Sequence, residues 1–197
     1  QVVREGAGLF EITDWKDKKV AILGFGVEGL STAQFLQKKG AAIWILDTRK
    51  KEDFDESFLA TVEELGAQFV LGENYLQNLS EFDVIVRSPG VKRHLPELLA
   101  AEKAGTTITS QIKLFFDVCP CPIIGVTGTK GKGTTSSLIY EMLKASGKDA
   151  HFGGNIGKPP LEFLENLTGQ SIVVLELSSF QLQDIHKSPH IAVMLMV

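Results

Sequence analysis

The sequence predicts an α/β protein whose strands form mostly parallel sheets covered by helices. Short apolar runs typical of buried strands, such as KVAILGFG and AAIWILD, alternate with segments whose apolar residues recur at helical spacing, such as EGLSTAQFLQKKG. Repeated alternation of this kind favours parallel strands joined by helical crossovers. A second cycle begins after residue 120, so we expect two α/β domains in series.

The first cycle contains the clearest strand, helix and strand unit. KVAILGFG indicates a buried strand, EGLSTAQFLQKKG a helix that Gly40 ends, and AAIWILD a strand that ends in an acid. Farther along, AQFVLG and DVIVRSPG indicate strands, and LPELLAAEKAG indicates a helix with Gly105 just past its end.

The segment CPCP interrupts this pattern and marks the predicted domain boundary. We expect a first domain over residues 1–118 and a second over residues 119–197. In the second, PIIGVT and SIVVLEL indicate strands, and KGTTSSLIYEMLKASG indicates a helix. One face of that helix carries Leu138, Ile139, Met142 and Leu143. A disulfide between Cys119 and Cys121 would close a small strained ring, so we expect free thiols.

Composition and charge weigh against several classes of protein. The chain has 197 residues, of which 44% are hydrophobic, and a net charge of -4, with its cations scattered among acids. The absence of a basic face weighs against a nucleic-acid partner. No apolar run reaches about 18 residues and no leader peptide is recognisable, so we predict a soluble, cytoplasmic protein without membrane insertion.

Both ends of the sequence look cut. It begins at Gln1, and it ends within IAVMLMV, a run typical of a strand buried on both faces. A domain seldom stops inside its own sheet. We therefore expect the second domain to be truncated and further catalytic parts to lie beyond Val197.

The stretch GVTGTKGKGTT has the composition and the position of a phosphate-binding loop. Such a loop needs glycines that let the backbone approach a phosphate, converging N–H groups, and a lysine where the next helix begins. Gly131 and Lys132 form the expected pair, although Val126 occupies the first glycine position of the Walker pattern and Gly133 stands where Ser or Thr is usual. The alternative is a glycine-rich turn with solvated lysines. The candidate phosphate-binding residues are Gly128, Thr129, Lys130, Gly131, Lys132, Gly133, Thr134 and Thr135.

A magnesium ion at this loop would need oxygen ligands. Thr134 carries the first hydroxyl after Lys132, and Glu176 lies near the end of a strand that could neighbour the loop strand. We therefore expect Thr134 and Glu176 to be metal ligands. In the alternative reading, Glu176 only points from a strand end into water.

The first domain has a glycine motif of its own, GFGVEG, in which Gly24, Gly26 and Gly29 have GxGxxG spacing. With Asp47 at the end of the next strand, this is the spacing of a dinucleotide site, with NAD as the default ligand. A dehydrogenase has no need of a second, phosphate-loop domain. Two nucleotide-type sites on one chain therefore favour ATP at one and a nucleotide-linked substrate at the other.

The ordered series GFGVEGLS, LDTR, RSPGV, GVTGTKGKGTT, GGNIG and LELSSFQL resembles the Mur ligases of peptidoglycan synthesis, most closely those that add D-glutamate. The resemblance implies a Rossmann-like parallel-sheet domain followed by a truncated P-loop ATPase-type α/β domain. It implies a ligase of cytoplasmic precursor synthesis that uses ATP and Mg²⁺ to activate UDP-N-acetylmuramoyl-L-alanine as an acyl phosphate, and we expect a monomer. The amine of D-glutamate would then attack this intermediate.

The resemblance also implies roles for individual residues. Lys132 would contact the ATP phosphates, Thr134 or Thr135 and Glu176 would serve magnesium, and Asn155 in GGNIG would lie near the reacting groups. Lys132, Asn155 and Glu176 are thus the candidate catalytic residues, although Asn155 could be an ordinary turn residue.

The first glycine loop would, by the same resemblance, receive the UDP of the substrate. The diphosphate would lie near the start of the helix, the uracil near the LDTR segment, and SPG would line the same cleft unless it is a plain strand-ending turn. The candidate UDP-substrate residues are Gly24, Gly26, Val27, Glu28, Gly29, Ser31, Asp47, Thr48, Arg49, Ser88, Pro89 and Gly90.

Other readings remain open. The GKG of the phosphate loop resembles the corresponding loop of the folylpolyglutamate synthases, which lack a Rossmann-like first domain. Two alternatives come from other classes: an NAD-binding oxidoreductase and a nucleotide-switched binding module. The family's carbamylated lysine, its histidine-containing segment and its D-glutamate-binding third domain have no counterpart in the sequence. We therefore expect this polypeptide to bind at most nucleotides and not to ligate by itself.

Overall fold

A computed structural model describes residues 14–196. The predicted start of the first domain at residue 1 and the predicted end of the last strand at Val197 lie outside the described residues. Within them the chain forms two sheets in which the strands are parallel, so the α/β prediction is confirmed.

Strands and α-helices alternate along the chain as the sequence predicts, except between the third and fourth strands, where only short 3₁₀ turns lie. The strands are β1 Lys19–Leu23, β2 Ala42–Asp47, β3 Gln68–Leu71, β4 Val84–Arg87, β5 Thr107–Thr109, β6 Ile123–Thr127, β7 Ala150–Gly154, β8 Ile172–Glu176 and β9 Ile191–Met194. The helices are α1 Val27–Lys38, α2 Glu56–Glu64, α3 Pro96–Lys103, α4 Gln111–Val118, α5 Lys132–Ala145, α6 Pro160–Phe163 and α7 Ser179–Leu182. Within residues 14–196, no helix is both long enough and apolar enough to cross a membrane.

The first sheet has the strand order β3-β2-β1-β4-β5. Along β1, Val20 and Ile22 belong to the core on one face, and Ala21 and Leu23 to the core on the other. The strand order reverses between β1 and β4. Ligands of open parallel sheets bind in the crevice at the carboxyl ends of the strands on either side of such a reversal.

The second sheet has the order β7-β8-β6-β9 and is covered on one face by α5. Ile139 and Leu143 of α5 pack against the sheet, whereas Leu138 is 60% and Met142 is 63% exposed. Only part of the predicted apolar face is therefore buried against the sheet. Because successive helical residues are about 100° apart, only part of a broad apolar face can contact a flat sheet.

The last strand differs from its prediction. It is shorter than the apolar run, it pairs with β6 alone, and Ile191 is 55% and Met194 is 73% exposed. Within the described residues β9 is an edge strand whose side chains are largely uncovered, and its burial on both faces stays a prediction.

Helix α4 lies between the two sheets. Phe115 and Phe116 pack in the core beside the second sheet, and Leu114 packs in a core of the first. The core of the first sheet and the core of the second sheet also meet at Phe35 of α1, which packs against both. The sheets change between Thr109 and Ile123, and a boundary after residue 118 stays a prediction. In this connection Cys119 and Cys121 are free thiols with sulfur atoms 3.6 Å apart.

Candidate active site

The glycine loop after β1 lies against the turn after β4. The Ser88 N–H donates to the Leu23 carbonyl over 2.8 Å, which extends the strand pairing into the turn. Gly24 has a φ of +82°, and a Cβ built on it would lie 2.9 Å from the Ser88 Cβ and 3.0 Å from the Val91 Cγ2. Glycine at position 24 thus allows the two segments to meet, and it brings the SPG turn against the glycine loop.

Helix α1 begins in this crevice with an open end. Gly26 is its N-cap residue, and no side chain caps the first turn. Apart from chain neighbours, no described atom lies within 4 Å of a Cβ built on Gly26, and Val27 is 70% exposed. Unpaired N–H groups and the positive end of the helix dipole favour an anion here.

Asp47, by contrast, is buried and fully hydrogen-bonded. Its carboxylate accepts the Phe25 N–H at 2.7 Å, the Arg49 N–H at 2.9 Å, and two guanidinium nitrogens of Arg49 at 2.9 and 3.0 Å. Burial acts to raise the pKa of Asp47, but these bonds and the Arg49 charge outweigh it and hold that pKa below its ordinary value. A carboxylate offers about four acceptor positions, so Asp47 has little capacity left for ribose hydroxyls.

Arg49 is the residue of this corner that is open to a ligand. Its side chain is 44% exposed, and its guanidinium lies 4.1 Å from the centre of the Phe54 ring. Thr48 beside it is exposed as well. A planar cation supported on one side by an aromatic ring offers its other side to a flat ligand such as a base.

Two predicted substrate residues on α1 form hydrogen bonds with later elements of the chain, α4 and α7. The Ser31 Oγ is buried and accepts a hydrogen bond of 2.7 Å from the Gln111 Nε2. The Glu28 Oε1 accepts one of 3.1 Å from the Gln181 Nε2. Burial raises the pKa of Glu28, and the bond from Gln181 offsets this only in part.

We expect Glu28→Gln to stabilise the protein increasingly over the pH range that rises from the pKa of Glu28 in the unfolded state through its higher pKa in the folded state. The folded state binds the Glu28 proton more tightly than the unfolded state does, so ionisation of Glu28 costs stability above its folded pKa and costs nothing below its unfolded pKa, about 4.3. The difference in melting temperature between variant and wild type, measured across this pH range, tests this. Glu141→Gln, at an exposed position on α5, is the control. A difference that does not change with pH would contradict the prediction.

The second glycine loop joins β6 to α5. Gly128 has a φ of +139°, and a Cβ built on it would lie 2.9 Å from the Leu195 Cβ, so only glycine fits beneath the chain that follows β9. Gly131, with a φ of +81°, is the N-cap residue of α5. The Lys132 Nζ donates to the Gly128 carbonyl over 2.9 Å, which places the ammonium group over the loop.

The predicted phosphate-binding residues differ in their availability. The Thr129 N–H donates to the Met196 carbonyl at 2.7 Å, and the Thr135 N–H donates to the Gly131 carbonyl at 3.0 Å. Lys130 and Thr134 are exposed. The N–H groups at the start of α5 have no partner within the helix, so they are the donors this loop offers to a phosphate.

Glu176, at the end of β8, reaches the start of α5. Its Oε1 accepts the Asn155 Nδ2 at 2.9 Å, and the Asn155 N–H donates to the Glu176 carbonyl at 2.8 Å. Its Oε2 lies 3.1 Å from a Cβ built on Gly133 and receives no hydrogen bond from the described residues. The structure therefore brings Asn155, Glu176 and the start of α5 together.

The glycines of GGNIG make this arrangement possible. A Cβ built on Gly154 would lie 2.2 Å from the Glu176 carbonyl oxygen, and one built on Gly153 would lie 2.4 Å from the Lys158 carbonyl oxygen. Both approaches exclude any side chain. These glycines therefore allow the backbone at the end of β7 to approach β8 closely, which places Asn155 beside Glu176.

A hard divalent cation fits the Oε2 of Glu176, the carboxylate oxygen that receives no hydrogen bond from the described residues. In the part of the chain that the structure describes, no group of three or more His, Cys, Asp and Glu could hold a metal, so phosphate, water and hydroxyl oxygens would have to supply the other ligands. The side of α5 that faces Glu176 carries Gly133, which has no hydroxyl. Thr134 lies about 100° farther round the helix, and its role as a metal ligand stays a prediction.

Sequence patterns missed several buried polar residues beside these sites. Gln111 and Gln181 carry no signal of their own, since their partners on α1 are distant in the chain. Arg87 does carry one, as the only charged residue within the strand β4. Its side chain is 1% exposed and pairs with Asp184, whose side chain is also buried.

Comparisons with known proteins agree with this layout. The family described as "Mur ligase MurD-like, N-terminal domain" matches residues 18–110, and "Mur ligase middle domain" matches residues 126–197. The chain is 43% identical over 176 residues to a UDP-N-acetylmuramoylalanine–D-glutamate ligase of Symbiobacterium thermophilum, covering 89% of this chain and 38% of that protein. It is 44% identical over 178 residues to the enzyme of the same name from Acetivibrio thermocellus, covering 90% and 38%.

Among solved structures, a UDP-N-acetylmuramate:L-alanyl-gamma-D-glutamyl-meso-diaminopimelate ligase from Neisseria meningitides matches with a TM-score of 0.48 and 22% identity, over 80% of this chain and 52% of that chain. The present chain spans less than half the length of the curated relatives it matches. The two family matches together include the whole first sheet, the second sheet except the start of β6, and both glycine loops. The chain therefore belongs to the Mur ligase family.

Proposed function

We propose that the protein containing this chain is an ATP-dependent carboxylate–amine ligase that adds D-glutamate to UDP-N-acetylmuramoyl-L-alanine in peptidoglycan precursor synthesis. The observation that carries this proposal is the Oε2 of the buried Glu176, which has no hydrogen-bond donor among the described residues and faces the start of α5, where Lys132 lies. The chain has a second helix start without a side-chain cap at α1. The names of the similar ligases support the choice of substrates.

At the second site the protein supplies charge and position for phosphoryl transfer to the substrate carboxylate. The product is an acyl phosphate, which the amine of D-glutamate attacks with loss of phosphate. Lys132 and the N–H groups at the start of α5 neutralise phosphate charge, and Asn155 orients Glu176. ATP would supply the phosphoryl group and leave as ADP, and Mg²⁺, which Glu176 and hydroxyl groups would hold, would supply further positive charge.

At the first site the chain binds the UDP of the substrate. The diphosphate lies at the start of α1, around Gly26 and Val27, and the uracil lies beside Thr48 and Arg49. Asp47 acts through Arg49, because its own carboxylate is already satisfied. The same bonding disfavours an NAD-binding oxidoreductase, whose acid at this position must accept ribose hydroxyls.

The folate alternative is disfavoured for a different reason. Folylpolyglutamate synthases lack the Rossmann-like first domain, whereas residues 18–110 match a Mur ligase N-terminal domain. The remaining parts of the proposal are a monomer in the cytoplasm, a first domain up to residue 118, and ATP as the nucleotide at the second site.

The test is a ligase assay on protein expressed from the complete reading frame. We expect phosphate release from ATP only when UDP-N-acetylmuramoyl-L-alanine, D-glutamate and Mg²⁺ are all present, with one amide formed per phosphate. L-glutamate in place of D-glutamate is the control for amino-acid choice. Failure to form an amide with D-glutamate would refute the proposed reaction, and binding of NAD in place of UDP would favour the oxidoreductase.

A further inference from the structure

Arg87 is a charged residue in the core of the protein. It is the last residue of β4, its side chain is 1% exposed, and its guanidinium pairs with Asp184, whose side chain is 5% exposed. Removing two ions from water costs several kcal/mol each in real proteins, so a buried pair is weak support for stability. A role in positioning a neighbouring segment would explain the pair better.

The guanidinium of Arg87 holds the turn that follows β4 at both ends. Its Nη1 donates to the Ser88 carbonyl at 3.3 Å and to the Val91 carbonyl. This turn is the one that Gly24 approaches, through the Ser88 Cβ and the Val91 Cγ2. Arg87 therefore fixes one wall of the crevice in which α1 begins.

Asp184 belongs to the other half of the chain. It follows α7 on the way from β8 to β9, and it also lies 3.8 Å from the Nε of Arg93. Three residues earlier, Gln181 donates to Glu28 on α1. The segment that follows Glu176 thus contacts α1 directly and, through Arg87, the turn after β4. These are the two sides of the crevice in which α1 begins.

We propose that Asp184 is a positioning residue that acts through Arg87 to set the Ser88–Val91 turn for binding the UDP-linked substrate, and so ties that turn to the sheet carrying Glu176. The proposal rests on the proposed function for the identity of the ligand. A purely structural pair would affect folding alone, whereas a positioning pair affects the affinity of one ligand selectively.

Asp184→Asn tests the proposal, because it keeps the shape and an acceptor oxygen but removes the charge. In protein from the complete reading frame, we expect its Kd for UDP-N-acetylmuramoyl-L-alanine to rise by about tenfold or more, with the Kd for MgATP alone unchanged. Titration calorimetry gives both constants. The double variant Arg87→Met/Asp184→Leu removes both charges, so it should fold even if the single variant does not, and it should show the same selective loss.

Glu165→Gln is the matched control. It removes a charge from Lys38–Glu165, an exposed ion pair of 3.3 Å that also joins the two halves, and we expect both constants to stay as in wild type. Unchanged substrate affinity in the double variant, with or without a lower melting temperature, would overturn the proposal. Wild-type protein that binds neither UDP nor UDP-N-acetylmuramoyl-L-alanine would overturn the proposed function, and this inference with it.

Discussion

Replacing Lys132 by alanine is expected to lower the kcat of ligation by about a thousandfold, which is the order of effect of losing one group that stabilises charge in a transition state. The Lys132 Nζ lies over the loop at 2.9 Å from the Gly128 carbonyl, with the open end of α5 beside it. A carbonyl is a weak partner for an ammonium group compared with a phosphate, so the lysine can exchange one for the other. The measurement is the rate of phosphate release that depends on D-glutamate.

Lys148→Ala is the control for Lys132→Ala, since it removes the same charge from an exposed position just beyond the other end of α5. Its rate should equal that of wild type. Melting temperature is recorded for both variants, because the Lys132 side chain makes only one hydrogen bond within the described residues and its loss should hardly change stability. A Lys132→Ala enzyme with wild-type kcat would remove the loop from the mechanism.

The parts of the fold that sequence predicts well are those that local chemistry determines. The glycines at positions 24 and 131 adopt positive φ angles where a strand turns into a helix, and the strand and helix on either side adjoin them in the sequence. Each glycine loop can therefore be recognised from about ten consecutive residues. The N-termini of α1 and α5, as positions that can bind a phosphate, can be predicted from the same local pattern.

The parts that sequence predicts poorly depend on contacts between distant segments. The spacing from Gly29 to Asp47 is the same whether the carboxylate faces a ribose or is occupied by Arg49, and packing decides between them. The partner of Arg87 is 97 residues away, so no local pattern could indicate it. Likewise Leu138 and Ile139 look alike in the sequence, and the position of the sheet decides which of them is covered.

The predicted role of Glu176 lies between these cases. Its place at the end of an apolar strand suggested a metal ligand, but a strand end facing water would look the same in sequence. The structure adds two facts: Asn155 binds one carboxylate oxygen, and the other faces α5 at Gly133. The sequence favours Thr134 as the accompanying hydroxyl because it is the first one after Lys132, whereas in the structure the residue that faces the carboxylate is Gly133.

Replacing Glu176 by glutamine is expected to lower kcat by about a hundredfold and to raise the Mg²⁺ concentration needed for half-maximal activity. Glutamine retains an oxygen that can accept the Asn155 Nδ2, so the contact between β7 and β8 persists. What is lost is the negative charge on the oxygen that faces the start of α5, and a neutral amide is a weaker ligand for a hard cation. The measurement is a Mg²⁺ titration of the D-glutamate-dependent rate.

The form of the Mg²⁺ titration distinguishes a metal ligand from a structural residue. If Glu176 holds the metal, excess Mg²⁺ should restore part of the activity of Glu176→Gln, because weaker binding can be offset by concentration. If Glu176 only supports the end of β8, the rate should fall by the same factor at every Mg²⁺ concentration. Glu141→Gln, at an exposed position on α5, should leave the titration unchanged. A titration of Glu176→Gln that coincides with that of wild type would exclude Glu176 from the metal site.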